Sequence, residues 1–217
     1  METWLSQVLD FIPILLKGAY FTVQITAAAI VLSTVWGFIL SLGLRSASRW
    51  IYIPSRIYIN IIRGTPLLVQ MFYVYFVLPD LGIRLTALQA GIVGLSLCYG
   101  AYHAEIFRAG ISSIHQGQWE AAKAIGLRSR QIMARIILPQ AARVILPPIG
   151  TSFIILLKDS SLASAITVRE LTRSGQLLAS TTFQNLRVFT LVALIYILMT
   201  QILALAIHRA ERKFRIP

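Results

Sequence analysis

The 217 residues are 57% hydrophobic and 13% charged, with a mean hydropathy of +0.73, far from the usage of a soluble globular domain. The net charge of +12 would suit a nucleic-acid binder only if the basic residues shared one polar face; here they sit in short clusters between long apolar runs, so no nucleic-acid partner is expected and orientation in a membrane explains the charge. Cys98 is the single cysteine, which excludes an internal disulfide and a cysteine-built metal cage.

In chain order, the N-terminus carries Glu2 and Asp10 rather than a basic cluster, and the first apolar run is longer than a signal core, so no signal peptide is expected. A spanning helix needs about 20 mostly apolar residues. Segments 19–44, 57–78, 85–107, 139–157 and 186–208 qualify, predicting an all-α membrane protein with five transmembrane helices in a single domain, 1–217. In the third segment Ala90, Gly94 and Cys98 recur every four residues, a stripe that lets another helix of the same chain approach closely. The fourth contains Pro147, Pro148 and Gly150, which should kink or break it. A broken helix at membrane depth is tolerated only against protein or a water-filled cavity, so 139–157 is either a pathway helix or a kinked packing helix. Between it and the last span, 160–186 is too polar to cross and should fold as an external helix.

Basic residues in short loops favour the cytoplasmic side. With the N-terminus outside and the C-terminus inside, the cytoplasmic parts hold fourteen basic side chains against three acidic ones, and the external parts six against five. Lys213 and Arg215 belong to the first group and Glu2 to the second. Arg63 and Arg108 then anchor helix ends at the cytoplasmic headgroups, with Glu105 paired to Arg108 along one helix face. Lys158 and Asp159 fall at the external end of the fourth span beside Ser160 and Ser161, where they could meet the two charges of a zwitterion or form a surface salt bridge.

Enzymatic signatures are missing. HAE at 103–105 matches half of a zinc-deaminase pattern whose other half needs two more cysteines. His103, His115 and His208 have no metal-ligand spacing, no lysine follows a glycine as a phosphate-binding loop requires, and no GxSxG elbow occurs. The longest cytoplasmic loop, 108–138, is the remaining anomaly. With Gly117 as cap, Glu120 takes the third helical position, Ala121, Ala122 and Ala124 give a smooth helical surface, and Gly126 ends the helix in the left-handed conformation. A second short helix follows from Arg128 to Leu138. The pair is either a docking surface or an interfacial helix with its arginines at the headgroups.

Residues 120–139 carry EAA, three residues, G, nine residues, I, one residue, LP, at Glu120, Ala121, Ala122, Gly126, Ile136, Leu138 and Pro139. This pattern resembles the EAA loop of permease subunits of bacterial ABC importers. RGTPLLVQMFYVYF (63–76), AYHAEIFRAGISSIHQGQWEAAKAIGL (101–127) and LLKDSSLASAITVREL (156–171) look like the polar amino-acid branch, the histidine, glutamine and arginine type. The resemblance implies that Glu120, Ala121, Ala122, Gly126, Leu127 and Arg128 couple to a separate ATPase subunit, which holds the ATP while this chain binds no cofactor. It further implies a dimer of ATPase subunits, a second permease, identical or similar, and an extracytoplasmic amino-acid-binding protein, all at the bacterial inner membrane. Thr151, Ser152, Lys158, Asp159, Ser160 and Ser161 are the candidates for a substrate path. Relatives often carry asparagine after the Pro-Pro pair where this chain reads Gly150, Thr151, Ser152, so the transported solute stays open. A stand-alone channel and a permease for another small polar solute are the alternatives.

Overall fold

The computed structural model describes residues 4–214, with side chains from Asp10 to Arg212. Glu2 and Arg215 and the side chain of Lys213, counted in the charge balance above, lie outside that description. All regular structure among the described residues is helical.

Helix α1 runs Trp4–Leu44, 41 residues, well beyond the expected 19–44 and straight through Pro13. Pro13 and Lys17 interrupt the apolar run, yet Phe11, Leu15 and Ala19 are buried against Leu171, Leu178, Val188 and Val192. Tertiary packing of one stripe extends the helix where local sequence does not.

The expected span 57–78 is instead two helices. α2 (Arg49–Gly64) and α3 (Leu67–Phe72, continued by a π turn to Val77 and a 3-10 turn to Leu81) meet at 109°. Pro66 causes the break, because the residue before a proline is pushed out of the helical region; Thr65 has φ −117° and ψ 142°, and Pro66 φ −61° and ψ 139°. Carbonyls at the break are covered by the buried Gln70, whose amide donates to Ile62 O at 2.8 Å and Thr65 O at 2.9 Å. A second polar chain fixes α2 in place: Trp36 Nε1 donates to Tyr58 Oη at 3.1 Å, and Tyr58 Oη to Leu97 O at 2.9 Å.

α4 (Ala87–Ser112) is the central helix, opened by a capping box between Thr86 and Gln89. The stripe Ala90, Gly94, Cys98 is wholly buried, and a Cβ on Gly94 would touch Met71 Cγ at 3.0 Å, so the partner is α3 of the same chain. α5 (Gln116–Ala124) and α6 (Ser129–Ile132) follow, and a π turn over Met133–Ile137 leads into α7 (Leu138–Asp159). α7 continues through Pro147 and Pro148, so of the expected kink or break the break does not occur. Two missing N–H donors leave the carbonyls of Arg143 and Val144 without helical partners, but α7 packs on α4 and α9 along its length and stays one helix. A 3-10 turn, Ser160–Ile166, leads to α8 (Leu171–Thr182) and then to α9 (Asn185–Phe214).

Three of these stretches are long and apolar enough to cross a membrane: Asp10–Leu44, Ser129–Ile166 and Asn185–Arg212; α2 with α3 makes a fourth if the bent pair is one span. α4 has 26 residues, about 39 Å at 1.5 Å per residue, but is less apolar because protein rather than lipid surrounds it: His103 and Ser96 are buried in its packed faces.

Candidate functional site

The helix break at Gly64–Pro66 opens a cavity of about 780 Å³ against α4 and α7. Arg63 and Asp159 are the two charged residues in its lining, joined by Thr65, Tyr99, Tyr102 and Thr151. Asp159 accepts a 2.7 Å hydrogen bond from Tyr99 Oη at its Oδ2. The Arg63 guanidinium lies 5.5 Å from the centre of the Tyr102 ring, a cation–π contact that holds it beside the cavity. Behind the wall, the fully buried His103 shares a 2.7 Å hydrogen bond with Ser152 Oγ, tying α4 to α7.

Of the residues expected on a path, Thr151, Ser152 and Asp159 line this cavity. Lys158, Ser160 and Ser161 lie outside its lining: Lys158 is exposed, Ser160 is fully buried with its hydroxyl on Leu157 O at 2.7 Å, and Ser161 is half-buried. Arg63, expected as a headgroup anchor, belongs to the wall, as do Tyr99 and Tyr102. The signal that could have found them is Gly-Thr-Pro inside an apolar run, which marks a helix break and hence a backbone that needs a polar surrounding. Next to the cavity, Glu105 serves three guanidinium groups: Arg108 at 2.7 Å, Arg56 at 3.2 Å and Arg63 at 3.9 Å.

The second candidate region is the loop holding α5 and α6. The cap of α5 is His115, whose Nδ1 accepts from Gly117 N at 3.1 Å. Gly117 is therefore inside the helix rather than its cap, and Glu120 sits past the first turn, with no backbone amide to reach. Gly126 has φ +79°, the left-handed value expected of it, and its N–H and that of Leu127 close the helix on Lys123 O and Ala122 O. Arg128 N donates to Gln131 Oε1 at 2.9 Å, starting α6. Burial divides the six expected coupling residues. Ala122 is 2% exposed and packs, with the half-buried Leu127, on a cluster built around Ile111, Ile132 and Ile137. Glu120, Ala121, Gly126 and Arg128 face outward, next to Ile125, which is 74% exposed.

Outside the spans, Glu170 is fully buried at the start of α8. Its carboxylate accepts from Arg173 N at 2.7 Å, Thr172 N at 2.8 Å and Tyr196 Oη at 2.9 Å. Burial raises its pKa above the ordinary value, opposed by those donors. Among the described residues, no group of three or more His, Cys, Asp or Glu could hold a metal ion.

Residues 33–216 match the model of the inner membrane component of binding-protein-dependent transport systems. The chain belongs to that family. It is 39% identical over 212 residues to the L-cystine transport system permease protein TcyB of Bacillus subtilis, covering 94% of this chain and 88% of that one. It is 36% identical over 214 residues to the glutamine transport system permease protein GlnP of Escherichia coli, covering 97% of each. A crystal structure of an amino acid ABC transporter with histidines superposes with a TM-score of 0.91 at 33% identity, over 98% of this chain and 100% of that one. The MetNI methionine ABC transporter in an inward-facing form shares the fold, with a TM-score of 0.80 at 21% identity over 94% and 97%. These relatives bear out the resemblance first carried by the EAA pattern.

Proposed function

We propose that this permease is the membrane-spanning subunit of an ATP-driven amino-acid importer and forms half of its translocation path. The observation that carries the proposal is the cavity at the Gly64–Pro66 break, where a guanidinium and a carboxylate, Arg63 and Asp159, share one lining. An α-amino acid is a zwitterion, so its carboxylate can meet Arg63 and its ammonium Asp159, each charge compensated where an unpaired one would be costly. The crystal structure of a relative with histidines and the glutamine and cystine relatives support the same solute class.

In this reading five spans cross the bacterial inner membrane, α4 being the fifth beside the three long helices and the bent pair, with the N-terminus outside and the basic loops inside. The chain itself has no ATP site and is not an enzyme. Glu120, Ala121, Gly126 and Arg128 present the surface that an ATPase subunit grips, while Ala122 and Leu127 transmit its movement to α4 and α7 through the isoleucine cluster. A second permease closes the open side of the cavity, and an external binding protein delivers the solute. Alternating access follows: closure of the ATPase dimer moves the paired loops and turns the cavity from inward to outward opening.

The experiment is uptake into proteoliposomes containing the complex and its binding protein. Accumulation of a polar amino acid that requires ATP is expected. Accumulation only of sugars, peptides or metal ions would overturn the solute class, and flux without nucleotide would establish the channel instead.

A further inference from the structure

We infer that the cavity selects α-amino acids whose side chain carries no positive charge. The inference deepens the reading of the cavity as an amino-acid path and rests on it. Its lining has one cation and one anion, Arg63 and Asp159, and the ligand's own carboxylate and ammonium occupy both. What remains for the side chain is neutral: the hydroxyls of Tyr102 and Thr151 can donate or accept, which suits an amide or a hydroxyl, while that of Thr65 is held by Ile61 O and Gln70. A lysine or arginine side chain finds no free carboxylate there.

The surroundings reinforce the bias. Glu105, the acidic group next to the wall, is already shared by Arg56, Arg63 and Arg108 within 4 Å, so the cavity is flanked by more guanidinium than carboxylate. A cationic ligand would bring a further positive charge beside them and leave it unpaired at membrane depth. Discrimination by an uncompensated charge is strong because it acts against the wrong ligand rather than for the right one.

The test uses the permease with its ATPase in nanodiscs, without nucleotide or binding protein, so that only the membrane site selects. Displacement of radiolabelled glutamine is measured with unlabelled glutamine, with arginine and with citrulline, which matches arginine in length and shape but carries no side-chain charge and is expected to compete as glutamine does. Arginine is expected to compete at least about tenfold less well. Thr151→Asp, which adds a carboxylate to the lining, is expected to narrow that gap about tenfold. Equal competition by arginine in the wild type, with Arg63→Gln and Asp159→Asn weakening both ligands, would overturn the charge selection while the amino-acid path stands. Absence of binding by either amino acid, or wild-type binding in both of those variants, would overturn the path itself and this inference with it.

Discussion

Glycine has opposite uses in the helical body and in the loop that holds α5 and α6. A Cβ on Gly37, in α1, would lie 2.5 Å from His103 Cβ, 2.9 Å from Gly100 O and 3.0 Å from Ala104 N; α1 and α4 touch backbone to backbone, and the glycine is there for want of room. Gly126 has nothing within 4 Å of the same position, and what it supplies is a φ of +79°. The body is therefore a packed object in which shape is fixed by contact. The loop is a presented object in which shape is fixed by its own backbone and the outer face is left free.

The largest effect expected from this contrast is in the body. Gly37→Val should lower stability by about 1–3 kcal/mol or more, because the added methyls meet backbone that cannot move aside. Thermal unfolding in detergent checks it, and a wild-type midpoint would break the comparison. Gln70→Met tests the helix break itself: the side chain keeps its volume but stops donating to Ile62 O and Thr65 O, at a cost of about 1–3 kcal/mol, chiefly for Thr65 O because Ile62 O still accepts from Thr65. Gly126→Ala should cost about 1 kcal/mol through left-handed strain alone, and Gly126→Asn clearly less, since asparagine tolerates that conformation. Equal losses in the two variants would mean that space and not φ matters there.

The smallest expected effect is in pH dependence, and it too belongs to the body. Burial raises the folded-state pKa of Glu170 above its unfolded value. Its contribution to stability is whole at pH below the unfolded value and is lost as pH rises through the folded one. The midpoint of unfolding should therefore fall over that window, and Glu170→Gln should flatten the fall. An unchanged slope in Glu170→Gln would place the titrating group elsewhere.

The loop was more legible in the sequence than the cavity. Its outline rests on local chemistry, with alanines for a smooth helix and a glycine at a left-handed end, and Gly126 stands where that reasoning put it. Its cap escaped because His115, not a usual capping side chain, accepts from Gly117 N. The bundle of apolar helices was legible from hydropathy, and the polar stretch after the fourth span contains the helix α8. The place of Arg63 in the cavity wall was not legible because hydropathy reads 57–78 as one run, whereas a single proline turns the chain by 109° and brings the guanidinium to the cavity. The length of α1 and the pairing of Tyr99 with Asp159, 60 residues apart, depend on contacts between distant parts of the chain, which no local pattern carries. Pro147 and Pro148 left kink or break open, and packing on α4 and α9 accompanies an α7 that does not break.

The most direct test of the account is Glu120→Lys, a change on the exposed face of α5 that touches neither the cavity nor the isoleucine cluster. The quantity to measure is co-purification of the ATPase subunit, together with ATP hydrolysis stimulated by loaded binding protein, in membranes where expression and thermal stability of the permease are also followed. The account predicts an unchanged permease that retains less ATPase or hydrolyses ATP without responding to solute. Wild-type values in both assays would contradict it and leave α5 as an interfacial helix, for which an added positive charge beside anionic headgroups is harmless.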